Sequence, residues 1–208
     1  MTSDFESASA PVTVPSSATP IELRPDAALI VVDVQTGFDD PRWGRRSNPA
    51  AEENIGRLVA GWTATGRPVV RVRHASRQPG SPLAPQAPGH AYKPVVADLE
   101  PALEVVKSVH SSFHGSPDLH AWFTGAGIGQ VVICGIQTNR CCETTARLAG
   151  DLGYDMLYAL DATYTFDEAG ISAEQIMAVT AANLHGHFGR VVGSDQLLAA
   201  LGDRTASV

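Results

Sequence analysis

Three side chains with complementary chemistry stand at or just beyond the ends of apolar runs. Asp33 closes the run from Ala27, Lys107 closes the run from Ala102, and Cys141 follows the run Val131 to Gly135 after a polar break at Gln137, Thr138 and Asn139. A carboxylate close to a thiol can take its proton, and an ammonium stabilises both the thiolate and the ionised carboxylate. The thiolate then has a carbonyl carbon to attack. Backbone N–H groups of the turn, those of Gln137 and Cys141 foremost, are placed to hold the developing oxyanion. Asp33 can return the proton to a leaving nitrogen and later activate water against the thioester. The net reaction is hydrolysis of an amide-like C–N bond. The plain alternative is that Cys141 and Cys142 are small buried hydrophobes. Adjacent side chains on a helix diverge by about 100°. Cys142 therefore points into helix packing, and Cys134, inside the apolar run, belongs to the core.

These three residues act together only if the elements carrying them share one rim. The stretch around Cys141 reads as strand, tight turn and helix, with the strand over Gln130 to Gly135 and the helix from Cys141 to about Leu152. A thiol at such a helix start lies under free N–H groups and the positive end of the dipole, which predicts a lowered pKa. Strands are also expected over Ala27 to Asp33, Pro68 to His74, Ala102 to Lys107, Tyr154 to Leu160 and from Arg190. Between them, Asn48 with Pro49 reads as cap and first turn of a helix to about Thr65, and Ser116 with Pro117 opens another carrying Leu119, Trp122 and Phe123. Ser172 with Gln175 forms a capping box for a helix ending near Gly186, and a last helix begins at Ser194. Alternating strands and helices imply a three-layer α/β domain, a mostly parallel sheet with helices on both faces. Open sheets of this kind bind ligands beyond the carboxyl ends of their strands, where the strand order reverses. Asp33, Lys107 and Cys141 all fall on that rim. The stretch from Ala75 to about Pro94 is long and rich in Pro and Gly, as functional covers are, and is expected over or beside the site.

The chain has 208 residues, of which 44% are hydrophobic, enough for one domain with a sizeable core. That domain is expected over residues 21–208, behind a Ser-, Ala-, Thr- and Pro-rich flexible tail at residues 1–20. A formal net charge of -7 offers no basic footprint, so neither nucleic acid nor membrane is an expected partner. Three cysteines, two of them adjacent, do not make a disulfide framework, and no signal peptide is apparent. The expected location is the cytoplasm.

Asp33-Val34-Gln35 with Phe38, Lys107 spaced before Ser111 and Phe113, Gly135-Ile136-Gln137-Thr138-Asn139 leading to Cys141, Thr145-Ala146-Arg147, Gly153-Tyr154 and Asp161-Ala162 together resemble the isochorismatase-like cysteine hydrolases. The resemblance runs from about Ala27 to Arg190. It implies a Rossmann-like six-stranded sheet of order 3-2-1-4-5-6, a triad at Asp33, Lys107 and Cys141, and a cis peptide between Ile136 and Gln137. Isochorismatases proper cleave a vinyl ether and usually lack the cysteine, so Cys141 argues for C–N hydrolysis of a small amide, lactam, imide or ureide. Vinyl-ether hydrolysis and a non-catalytic binding or scaffold role are the alternatives. Nicotinamidases of this family carry an Asp-x-His metal cluster after the second strand, whereas this chain reads Arg73, His74, Ala75, Ser76 there. The pattern is nearer the streptothricin hydrolase type. With the triad supplying nucleophile and acid/base, no metal and no organic cofactor is expected. Association into a homo-oligomer, a dimer or tetramer, is expected from the family and from the long loop.

Phe38, Trp43, His74, Tyr92, Phe113 and Tyr164 are the candidate walls of a substrate pocket. His110 and His114 have the spacing of a helical metal pair but lie in a Ser- and Gly-containing loop, and His185 with His187 suits a helix C-terminus. The glycines from Gly125 to Gly129 follow a helix and precede a strand, the reverse of a dinucleotide fingerprint.

Overall fold

In a computed structural model the described residues are 20–202. The flexible tail expected at residues 1–20 lies almost wholly outside them. Six strands, β1 (Ala27–Val32), β2 (Val69–His74), β3 (Leu103–Lys107), β4 (Gln130–Ile136), β5 (Asp155–Tyr164) and β6 (Arg190–Val192), pair in parallel in the order β3-β2-β1-β4-β5-β6. β1 is apolar at every position because both of its faces are covered. Its alternate residues divide between two cores: Leu29 and Val31 face one layer, Ile30 and Val32 the other.

The first layer contains α1 (Ala51–Ala64), the short α2 (Pro94–Ala97) and α6 (Ser194–Gly202), packing Ile55, Leu58, Trp62, Val96 and Leu197 on the sheet. The second contains α3 (Leu119–Ala126), α4 (Glu143–Asp151) and α5 (Ala173–Leu184), with Phe123, Ala146, Met177 and Leu184 in that core. No helix among the described residues is long and apolar enough to cross a membrane.

Local chemistry departs from expectation at three places. Asn48 does not cap α1: it takes a positive φ of 44°, and its amide donates to the carbonyls of Asp161 and Thr163, so Ala50 occupies the cap without a side-chain bond. Asp118, not Ser116, caps α3, accepting from the N–H of Ala121 at 3.0 Å. β5 runs four residues past Leu160, since a register shift between Ile133 and Gly135 lets Thr163 and Tyr164 pair with the end of β4. Asp161, polar enough to suggest a strand end, is instead satisfied by the N–H and hydroxyl of Ser194 at 2.8 Å each.

The strand order reverses at β1 and β4, whose carboxyl ends lie side by side through the pairing of Val32 with Gly135. Gly135 has φ 127°, and a Cβ there would meet the Val32 carbonyl oxygen at 2.1 Å. A side chain at this point would force apart the two strands that lead into Asp33 and Gln137. Gly153 also has a positive φ, 87°, but a Cβ there meets nothing within 4 Å. Gly135→Ala is therefore expected to lower unfolding free energy by about 1–3 kcal/mol more than Gly153→Ala, from overpacking added to the common φ penalty. Equal losses in denaturant titrations of the two variants would remove the close approach as the reason for glycine at 135.

Candidate active site

The end of β1 turns at Asp33, which adopts φ 51°, a left-handed conformation that Asp tolerates better than most residues. The turn is tied down on both sides: the Asp33 N–H donates to the Val72 carbonyl at 3.1 Å, and the Asp33 carbonyl accepts from Gln35 at 2.8 Å. The Asp33 side chain has no exposure, and its Oδ2 accepts from Lys107 Nζ at 2.5 Å. Lys107 reaches it across β2, because β3 pairs Lys107 beside His74 at the same level of the sheet. His74 Nδ1 is 3.3 Å from the ammonium. The other carboxylate oxygen, Asp33 Oδ1, is buried without a hydrogen-bond partner.

Cys141 enters from the opposite side of the reversal point. Rather than opening α4 directly, it lies in a one-turn wide helix, Thr138–Cys142, closed by the Cys142 N–H on the Gln137 carbonyl at 3.2 Å. β5 holds this turn in place: Tyr158 donates its hydroxyl to the Thr138 carbonyl at 2.8 Å, and the Thr138 hydroxyl donates to Thr163 at 2.9 Å. Thr145 donates to the Cys141 carbonyl at 2.7 Å while accepting from the N–H of Ser112, which fastens the loop after β3 to α4. The peptide between Ile136 and Gln137 is cis. Cys141 is nearly buried, with its Sγ 3.6 Å from His110 Nδ1. A ligand atom from each of Asp33, His74 and Cys141 lies within 4.8 Å of the others. Asp33, Lys107 and Cys141 thus meet in one buried cluster.

The charges in this cluster act on one another. Burial opposes the Lys107 ammonium, but the Asp33 carboxylate and Cys141 outweigh it and hold the lysine above its ordinary range. Burial pushes the Cys141 thiol up, Asp33 adds to the rise, and Lys107 offsets only part of it. This runs against the lowered pKa expected from a helix start: burial and the adjacent carboxylate act in the opposite sense to the dipole, and Cys141 lies in a wide turn rather than at the start of α4. Burial and then Lys107 lower His74 to about 4, so it is neutral at physiological pH. Burial, Lys107 and Arg140 also lower His110. A carboxylate, an imidazole and a thiol so close have the donor types of a metal site. The Lys107 ammonium lies among them, at hydrogen-bond distance from two of the three.

A cavity of about 330 Å³ opens above Cys141. Phe38, Trp43 and Leu83 form its apolar wall, while His74, His110 and Gln137 border the thiol. Phe38 and Trp43 stand with Phe166 in an aromatic group with centroids 5.5 to 6.5 Å apart, and Trp43 donates its indole N–H to Gly37. Of the aromatic candidates, Tyr92, Phe113 and Tyr164 do not line this cavity. Tyr92 lies under the guanidinium groups of Arg71 and Arg73, with its hydroxyl on Glu104. Phe113 packs among Phe123 and Tyr154, and Tyr164 is buried beneath Arg46.

The long loop after β2 does stand beside the site, contributing Ser76, Arg77, Gln78, Ser81 and Leu83 to the lining. Gln35 pins it, donating to the His74 and His90 carbonyls and accepting from the His74 N–H. Buried Lys93 clamps its far end through Asp39 and, at 3.1 Å, Glu52. Arg77, Gln78, Ser81 and Arg140 were not singled out from sequence. Arg140 sits within the motif that leads to Cys141, and that proximity was the available signal.

The family model for the isochorismatase domain matches residues 27–195. An isochorismatase family protein of Bacillus subtilis, YrdC, is 37% identical over 176 residues, covering 82% of this chain and 94% of its own. A streptothricin hydrolase of Streptomyces noursei is 33% identical over 144 residues, covering 67% of this chain and half of its own length. Among solved structures, an isochorismatase-family protein from Chromobacterium violaceum superposes with a TM-score of 0.84 at 36% identity, over 90% of this chain and all of that one. The domain match over most of the chain and these relatives establish that the chain belongs to the isochorismatase family, a family of hydrolases.

Proposed function

We propose that this protein hydrolyses the C–N bond of a small amide, lactam, imide or ureide through a thioester on Cys141. The observation that carries this reading is the buried meeting of Asp33 and Lys107 with Cys141, which itself lines a cavity of about 330 Å³. The similarity to a streptothricin hydrolase supports it. In the resting site the thiol keeps its proton, since burial and the Asp33 carboxylate both disfavour the thiolate. Attack and deprotonation are accordingly coupled. As Sγ approaches the substrate carbonyl carbon, Asp33 takes the thiol proton, and negative charge moves from the carboxylate to the substrate oxygen. The backbone N–H groups of Gln137 and Cys141 receive that oxygen. Collapse of the tetrahedral adduct breaks the C–N bond, and Asp33 delivers its proton to the departing nitrogen. Water then attacks the thioester, again losing its proton to Asp33. The acid leaves and the Cys141 thiol is restored. Throughout, Lys107 keeps one positive charge beside whichever group is ionised, so the buried cluster never carries unbalanced charge.

Release of ammonia or amine from a panel of amides, lactams and ureides tests the reading directly. Isochorismate belongs in the panel, and its turnover in place of every amide would favour the vinyl-ether alternative. Cys141→Ala is expected to remove activity while Cys142→Ala retains most of it. Asp33→Asn and Lys107→Ala are each expected to lower kcat by about a thousandfold or more, and the double variant scarcely further, as residues acting as one unit do. Losses that multiply would separate the two roles. Circular dichroism is needed alongside, because removing one member of a buried ion pair costs about 3–5 kcal/mol of stability.

The protonation state gives an independent check. The pH midpoint for iodoacetamide alkylation of Cys141, mapped by mass spectrometry, is expected above about 8.5, the value of a free thiol. Asp33→Asn removes the carboxylate that disfavours the thiolate and should move the midpoint down; Lys107→Met removes the ammonium that favours it and should move the midpoint up. A wild-type midpoint below the free-thiol range, or shifts of the opposite sign, would replace coupled attack with a preformed thiolate.

A further inference from the structure

The floor of the cavity is balanced in charge, whereas its walls are not. Arg77 and Arg140 both line it, and none of its lining residues is Asp or Glu. The chain as a whole has 22 acidic against 15 basic residues, so a cationic cavity runs against the composition. Nine arginines, at 24, 42, 45, 46, 57, 71, 73, 140 and 147, each form an ion pair with a carboxylate. Among the described residues Arg77 has no ion pair and no hydrogen bond from its side chain, and it is exposed on the loop segment that borders the cavity. Arg140 engages Glu168 through Nη2, but both side chains are about half exposed, so the pair holds the guanidinium only weakly against a competing anion. Arg140 directly precedes Cys141 in the chain, and its charge is felt at His110 on the same wall.

We infer that the cavity takes an amide bearing a carboxylate a few carbons from the scissile bond, with Arg77 as the principal contact and Arg140 beside it. The inference rests on the C–N hydrolase reading for what happens to the ligand, though not for its binding. Guanidinium and carboxylate match as two planar groups sharing two hydrogen bonds, and the apolar wall of Phe38, Trp43 and Leu83 suits the short carbon chain between the two ends. Hydrolysis of such a substrate yields a dicarboxylate. The cationic wall would then retain the product after the amine has gone, so product inhibition is part of the expected behaviour.

The test separates binding from turnover. Succinamate and butyramide have similar length and the same amide, and only the first carries a charge. Calorimetry on the full-length Cys141→Ala protein at low salt is expected to show succinamate binding at least tenfold tighter than butyramide, with the difference shrinking as salt is raised. Adding Arg77→Ala should abolish most of that preference, Arg77→Lys should keep part of it, and Arg77→Glu should reverse it. Because Arg77 is exposed, these variants are expected to fold, which circular dichroism checks. In the active protein the ratio of kcat/KM for the two amides should follow the same series. Equal binding of the two compounds, no binding of either, or a preference unchanged by Arg77→Ala overturns the inference. Charge-selective binding with no turnover of any amide would overturn the hydrolase reading and leave this one standing.

Discussion

A carboxylate and an ammonium meet at 2.5 Å with neither side chain exposed, and the rim of the sheet is arranged to keep them together. Taking two charges out of water costs several kcal/mol per ion, which their attraction offsets only with close geometry and further polar contacts. The requirement reaches far into the fold. Asp33 and Lys107 come from β1 and β3, which do not touch, so the lysine has to extend past β2 at the level where His74 ends it. Asp33 has to turn back through a left-handed backbone conformation, which its N–H to Val72 and its carbonyl to Gln35 maintain. Gln35 then spends its amide on both ends of the loop that walls the cavity. The ion pair and the cavity wall therefore depend on the same three residues after β1.

In the proposed mechanism the same burial decides how Cys141 is prepared. A dipole at a helix start favours a thiolate, but the carboxylate of Asp33 and nearly complete exclusion of water favour the thiol and raise its pKa. Storing the proton on sulfur has a chemical advantage. Net charge in the cluster is the same before attack, with Asp33 ionised, and after it, with the charge on substrate oxygen, so no step creates a buried charge that lacks a partner. Neutral His74 and His110 fit this scheme, since a second cation next to Lys107 would disturb the balance.

Much of the fold was legible because parallel strands are buried on both faces and so are written as unbroken apolar runs, β1 most plainly. The three residues that meet at the rim, Asp33, Lys107 and Cys141, were legible for a related reason: a charged or polar residue that interrupts such a run stands at the rim. What the sequence does not display is how a side chain spends its hydrogen bonds on distant partners. Asn48 before a proline looks like a helix cap, yet its amide satisfies two carbonyls more than a hundred positions away in β5. Asp161 looks like a strand end for want of a visible partner, which Ser194 supplies. Tyr92, Phe113 and Tyr164 illustrate the same limit for aromatics. Their rings find arginines or other rings in the interior, and nothing in their spacing distinguishes that from lining a cavity.

Arg77 was hidden in another way, inside a loop whose role as a cover could be read from its length but whose path could not. That path is set by buried anchors at both ends: Gln35 near its start, and Lys93 with Asp39 and Glu52 near its finish. A loop tied at both ends presents its middle to the cavity in a defined place, so side chains there can discriminate between ligands without taking part in bond making. The site thereby divides by depth. In this reading its floor handles protons among groups whose charges cancel, and its wall offers the guanidinium of Arg77, unpaired among the described residues. A substitution in the loop can therefore alter what is held against the thiol while leaving the buried pair of Asp33 and Lys107 beneath it intact.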